Sequence, residues 1–424
     1  MAVVFLVCFW PRKPLFQNGN AGVTEAYRKH SMERGFRPIP PPGTTMIAFS
    51  LTNARIVLED NVMTGSLTVE DGRITDIQDG TAHHKNAIDF EGDYLIPGLI
   101  DVHTDNLEKH MEPRPGVDWP ALPGLFSHDA QMIAGGITTV LNALSIGSFH
   151  GSKPGRRHTL LRAATLLADD KNRRDLRAEH LLHLRCEVSS PDVVDALEEY
   201  IGNPLIKMIS VMDHTPGQRQ WRNVDKWRQF HSKDGLSERQ MAERLDAMKE
   251  NQDLHANPNR VEVVKRCHHL GVALASHDDT TLEHIAEAQA EGIRVSEFPC
   301  TLDAAKAARE AGMLTVMGGP NVVMGGSHSG NVSALELVQH GLLDGLASDY
   351  VPSSMLNAAF HLPEQAGITL PQAISTVTSG PADMLNMADR GRIRKGLRAD
   401  LLRVHTTNDA PVVVTVWREG KRVH

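Results

Sequence analysis

Cysteine is scarce in this chain. The four present, Cys8, Cys186, Cys267 and Cys300, lie far apart and form no C-x-x-C. That excludes a disulfide framework and a structural zinc knuckle, and it fits the reduced thiols of a cytoplasmic protein. Long apolar runs are also missing. Val3 to Trp10 is too short to cross a bilayer, and no basic residue precedes it, so it makes a poor signal peptide. There is no excess of positive charge either: the formal net charge is −8, which gives no reason to expect nucleic acid or an acidic membrane as a partner. An anionic small molecule remains open, because local basic groups can bind one against the global sign. Finally, no Gly-x-Gly-x-x-Gly follows the first strand-like run, which disfavours a doubly wound, dinucleotide-binding sheet.

What is present is ordinary in bulk and unusual in detail. Hydrophobic residues make up 41% and charged residues 23% of 424, enough for one large core or a barrel with a small companion. Twenty-two histidines is a high count. Residues 1–45, with Pro38-Ile39-Pro40-Pro41-Pro42-Gly43, read as a flexible leader, and the fold is expected to start near Met46. Two separated segments, 46–93 and 390–424, carry short strand patterns. Asp71-Gly72 between two of these is a hairpin signal. Together they predict a small β-sandwich closed by both termini. Between them, 94–389 alternates apolar runs with helical stretches. The eight runs are Tyr94–Asp105, Ile137–Leu144, His180–Val188, Leu205–His214, Gly271–Asp278, Ile293–Pro299, Met313–Asn321 and Gly345–Tyr350. Eight strand–helix units over about 300 residues predict a (β/α)₈ barrel. A charged amphipathic insert, Trp221–His269, reads as two helices.

In such a barrel the chemistry sits at the C-terminal ends of the strands. The first run, Leu95-Ile96-Pro97-Gly98-Leu99-Ile100-Asp101-Val102-His103-Thr104-Asp105, ends in two potential ligands at i and i+2, on one face of a strand. Later runs end in Glu187, His214, His277 and Asp349. Each has an ordinary use when taken singly: Asp349 as a helix cap, His214 as a turn residue, Glu187 as a partner of Arg185. All six at the same end of five strands point to metal. Lys207, near the start of its strand, is not placed to be a bridging ligand, and Glu297 on the sixth strand is a further carboxylate that could replace one of those named. Nitrogen and oxygen donors without cysteine suit a pair of divalent first-row ions, zinc or manganese. Asp349 is also the candidate general base towards a water shared by the ions.

Basic residues cluster where loops would face that site. Lys109, His110 and Arg114 follow the first strand, and Arg219 and Arg222 follow the fourth. A glycine-rich stretch, Gly318 to Asn331, follows the seventh. Lys109, Arg114, Arg219, Ser327, His328 and Asn331 are therefore candidate contacts for an anionic substrate.

Several strings carry a family resemblance. Ile96-Pro97-Gly98-Leu99-Ile100-Asp101-Val102-His103, the late Ser348-Asp349 and the closing Gly391-Arg392-Ile393-Arg394-Lys395-Gly396-Leu397-Arg398-Ala399-Asp400 resemble the amidohydrolase superfamily. Asp105 stands where that superfamily normally has a second His. The strings His103 to His110, Met212 to Gln220 and Gly325 to Ala334 resemble one branch, the PhnM-type hydrolases of the carbon–phosphorus lyase pathway. The resemblance covers nearly everything from Met46 onward. It implies hydrolysis of α-D-ribose 1-methylphosphonate 5-triphosphate to the 5-phosphate and diphosphate, in the cytoplasm of a bacterium using phosphonates. Two other readings compete: a hydrolase of cyclic amides or N-acyl C–N bonds, and an inactive scaffold protein. Asp105 and the basic loops weigh against the first, and the retained ligands against the second. A homodimer is one assembly the sequence allows.

Overall fold

A computed structural model describes residues 48–80, 87–114, 117–147, 155–232, 235–327, 330–407 and 410–424. The expected leader, 1–45, and His328 lie outside the described residues. Strands β1 (Ala48–Val57), β2 (Val62–Glu70) and β3 (Arg73–Asp79) form an antiparallel meander. Its second turn is Asp71-Gly72, with φ of 47° and 77°, the left-handed pair that a tight hairpin requires. Short strand β4 (Ile88–Asp89) and then β5 (Tyr94–Pro97) pair parallel with β1.

The next eight strands are β6 (Leu99–Thr104), β7 (Ile137–Ile146), β8 (Glu179–Glu187), β9 (Ile206–Met212), β10 (Ala273–His277), β11 (Val295–Glu297), β12 (Leu314–Gly318) and β13 (Gly345–Ala347). They pair parallel in sequence order. The barrel shuts where the Asp105 N–H donates to Asp349 O (2.8 Å) and the Asp349 N–H to His103 O (2.9 Å). Below that point the Ser348 N–H donates to Asp101 Oδ1 at 3.0 Å. Every residue of β6 and nearly every residue of β7 is buried, as expected for parallel strands covered by helices.

The chain returns to the first sheet with β14 (Leu401–Thr406), β15 (Pro411–Arg418) and β16 (Lys421–Arg422). The strand order is β16-β15-β14-β5-β1-β2-β3. This one sheet folds back on itself, because residues just before β14 reach its far edge. Ile74 N–H donates to Leu397 O (2.9 Å) and Ala399 N–H to Gly72 O (2.8 Å). The interior so formed holds Leu51, Ile56, Leu67, Phe90 and Leu95, with Phe49 and Phe90 stacked on Trp417.

The run expected as one strand, 94–105, is divided at Gly98. Its first half joins the outer sheet by pairing with β14, and its second half starts the barrel. Glycine is required at the join, since a Cβ there would overlap the Thr138 side chain. The insert is two helices, Val224–His231 and Glu238–Leu270. Asn223 caps the first, and a Ser237/Gln240 capping box opens the second. The long helix leans over the C-terminal ends of β8 and β9: Gln252 donates to Asp213 Oδ2 (2.8 Å) and Asn259 to the carbonyls of Val188 and Ser190. Among the described residues no helix is long and apolar enough to cross a membrane.

At the opposite, N-terminal end of the barrel, Glu179 accepts hydrogen bonds from Arg390 Nη1 (2.6 Å) and Arg398 Nη1 (2.7 Å). The closing Gly391–Asp400 string thus has a structural role: Arg398 also donates to Asp400 Oδ2 (2.8 Å), and the Asp400 carbonyl accepts from Gly98 N (2.8 Å). Burial alone would raise the Glu179 pKa, but the two guanidiniums outweigh it and hold the carboxyl below its usual range. Replacing Glu179 by Gln leaves two largely buried arginines short of an anion. It should lower unfolding stability by about 2 kcal/mol in urea titrations at neutral pH. A depressed carboxylate stabilises above its unfolded pKa, so the wild-type advantage should be complete above about pH 4.5 and vanish as the pH falls through the lower folded value.

Candidate active site

Alternation along buried strands brings side chains two residues apart to one face. β6 thus presents His103 and, just beyond its end, Asp105; β8 presents His183, Arg185 and Glu187 in ascending order. His277 ends β10 and Glu297 ends β11. Three strand ends leave through left-handed backbone: Asp278 (φ 58°), Phe298 (φ 56°) and Asp349 (φ 54°). Each such residue costs about 1–2 kcal/mol. Asp349 is held there by the two bonds that close the barrel, and Asp278 by its N–H donating to Glu297 O at 2.8 Å.

Glu297, fully buried, is the hub. Its Oε1 stands 2.6 Å from His103 Nδ1 and its Oε2 2.5 Å from His277 Nδ1. Each histidine turns its other nitrogen to a second carboxylate, His103 Nε2 to Asp105 (3.6 Å) and His277 Nε2 to Asp278 (3.4 Å). His183 lies 3.7 Å from Glu297 and bonds Ser210 Oγ at 2.9 Å. On the other flank His214 Nδ1 meets Glu187 Oε2 at 2.7 Å, and its Nε2 lies 3.7 Å from Asp278. Ser189 and the His214 N–H both donate to Glu187 Oε1, fixing that carboxylate. Arg185 Nη1 donates to Asp105 Oδ1 at 2.9 Å.

The electrostatics follow from this crowding. Burial works against charge on Glu297, but His183, His103 and His277 outweigh it and hold the carboxyl well below its ordinary value. Burial likewise disfavours a charged His103, yet Glu297 and Asp105 push it up to about 10. His183, where burial prevails, is pushed down to about 3. Burial opposes ionisation of Asp105 too, and Arg185 overrides it. Asp349 is raised, chiefly by burial.

Of the residues expected from sequence, His103, Asp105, His214, His277 and Asp349 converge. Among the described residues, donor atoms fall within 4.8 Å of one another in three groups: His103, His183 and Glu297; His214, His277 and Asp278; His103, Asp105 and Asp349. Nitrogen and carboxylate donors this close, with no thiolate, fit divalent ions. Glu187, expected as a metal ligand, lies against His214, and the carboxylate shared by His103 and His277 is Glu297. Asp278 was not singled out from sequence. Among the expected substrate contacts, Lys109 lies on the helix Asn106–Met111 and donates to Tyr350 O at 2.8 Å, and Arg114 is exposed beyond that helix. Ser327 and Asn331 are partly buried, Asn331 donating to Cys300 Sγ at 3.3 Å. Arg219 needs correction. It is buried, and its Nη1 donates to His277 O (2.8 Å) and Asp279 Oδ1 (3.0 Å). It steadies the end of β10 from behind, and its charge is already committed to Asp279.

The Amidohydrolase family profile matches residues 94–423, which takes in the barrel and the returning strands. The alpha-D-ribose 1-methylphosphonate 5-triphosphate diphosphatase of Escherichia coli (strain K12) is 44% identical over 376 residues, 88% of this chain and 99% of that protein. Among solved structures, a Xaa-Pro dipeptidase with bound methionine superposes with a TM-score of 0.60 at 15% identity, covering 89% of this chain and 100% of the other. Dihydropyrimidinase from Brevibacillus agri NCHU1002 gives 0.59 at 14% identity, covering 89% and 95%. At these identities the two structures speak for the barrel with its added sheet, and the sequence match speaks for descent. The chain belongs to the amidohydrolase family.

Proposed function

We propose that this hydrolase cleaves α-D-ribose 1-methylphosphonate 5-triphosphate to the 5-phosphate and diphosphate, as a cytoplasmic step in the use of phosphonates. The observation that carries the reading is the 44% identity to a diphosphatase of that name over 99% of its length. Two divalent ions, zinc or manganese, would be held by His103, Asp105, Glu187, His214, His277 and Asp349, with Glu297, Asp278 and His183 completing the donor set. When bound, such ions supply Lewis acidity, lowering the pKa of water and neutralising phosphate charge.

The side chains do the rest. Asp349 stands at the rim beside His103 and Asp105 and takes the proton from the attacking water. The water oxygen forms a new bond to phosphorus, the bridging P–O bond of the anhydride breaks, and its electron pair leaves on the departing phosphate oxygen. Lys109 and Arg114 after the first barrel strand, and Ser327, His328 and Asn331 of the glycine-rich stretch, are assigned to the outer phosphate, phosphonate and ribose oxygens.

Purified protein should contain about two divalent ions per chain by elemental analysis, and dialysis against a chelator should abolish diphosphate release. Full activity in metal-free protein would refute the reading. Asp349→Asn should retain metal and substrate binding yet lose turnover by on the order of 10²-fold; near-wild-type turnover removes Asp349 from the base role. The decisive assay measures diphosphate released from the ribose triphosphate beside a panel of hydantoins and N-acyl amino acids, with hydrolysis expected for the triphosphate alone.

A further inference from the structure

Arg185 is the feature that metal ligation and proton transfer leave unexplained. It lies near the C-terminal end of β8, two residues below Glu187, on the face that looks into the barrel mouth. Its side chain is only 13% exposed. A guanidinium so buried is costly unless its donors are met. Here they are not. Among the described residues its hydrogen bonding is the single bond from Nη1 to Asp105, and Nε is buried with no partner. Arg219, also buried, is by contrast engaged by Asp279 and a backbone carbonyl.

Its surroundings are a second, independent observation. The Asp105 it holds shares a cluster of donor atoms with His103 and Asp349, so Arg185 sits among the candidate ligands themselves. Lys109 and Arg114 are exposed on the rim, where water screens them. Arg185 is carried by a strand and pinned by Asp105, so its remaining donors are preorganised and shielded. An amide gathers negative charge on one oxygen as it is attacked. A phosphoanhydride carries anionic oxygens on both sides of the bond that breaks, and a planar fork of N–H donors suits them.

We infer that Arg185, held by Asp105, is a phosphate-binding residue of the reaction centre and a determinant of its preference for phosphoanhydrides. This rests on the hydrolase reading above. It also accounts for the departure from His-x-His: an imidazole at 105 offers no anion to anchor a guanidinium.

The test compares wild type, Arg185→Lys and Arg185→Gln, each loaded with metal and assayed by elemental analysis, circular dichroism, steady-state diphosphate release and equilibrium dialysis with radiolabelled inorganic phosphate. The Gln variant should keep its metal and fold, bind phosphate at least 10-fold more weakly, and lose kcat/KM by on the order of 10²-fold. The Lys variant, which keeps the charge without the fork, should fall between. Phosphate affinity and kcat/KM within threefold of wild type in the Gln variant overturn the inference, as does loss of metal from it, which would make Arg185 a support of the ligands. If the Gln variant does not fold, the Lys variant decides: unchanged phosphate affinity and kcat/KM in a folded protein overturn the inference. Should wild type release no diphosphate, the substrate assignment fails, and the phosphate dialysis still decides whether Arg185 binds the anion.

Discussion

Two backbone hydrogen bonds, from Asp349 to His103 and from Asp105 to Asp349, close the ring of strands, and the site depends on them. They join the first strand to the eighth at the level of the donor atoms. They also hold Asp349 in a left-handed conformation that its own backbone disfavours. Without that closure Asp349 would lie at the end of a free edge strand, far in sequence from every other ligand. With it, the residue assigned as base stands against the histidine that anchors the opposite side.

Inside this frame the ligands stabilise one another. Glu297 is shared by two histidines, and each histidine reaches a further carboxylate, so carboxylates and imidazoles alternate across the mouth. Five carboxylates, Asp105, Glu187, Asp278, Glu297 and Asp349, are gathered within one barrel end. Two divalent ions would balance four of those charges, and Arg185 the fifth. A site balanced in this way accepts a polyanion only through donors aimed at it, which is the part the rim cations and Arg185 share.

Much of this was readable from sequence because buried parallel strands repeat every two residues and end in polar groups. His103 and Asp105 at i and i+2, and the eight alternating runs, follow from that rule. Where the rule has too little to work on, a residue stays an alternative, as Glu297 does, or escapes notice, as Asp278 does. β11 is three residues long, too short for a pattern to say which way Glu297 points. Asp278 directly follows His277 and so belongs to the opposite face of an ideal strand; only its positive φ turns it back towards the site. Arg219 reads as a solvated loop residue, and its burial against Asp279 is a tertiary fact with no local signature. The break at Gly98 was hidden for another reason: nothing in an unbroken apolar run tells that its two halves pair with different sheets.

That break ties the making of the site to the order in which the chain is synthesised. The strand carrying His103 and Asp105 emerges early, but β5, its direct upstream continuation, meets its antiparallel partner β14 only after roughly 300 further residues have followed. Until then one edge of β5 is an unpaired strand in the nascent chain, the kind of edge that invites misassociation. A polypeptide halted before residue 401 would carry every candidate ligand named above and still lack the partner of the strand from which the first of them hangs. The pairing of β14 with β5 therefore completes the frame of a centre whose donor atoms all lie upstream of it.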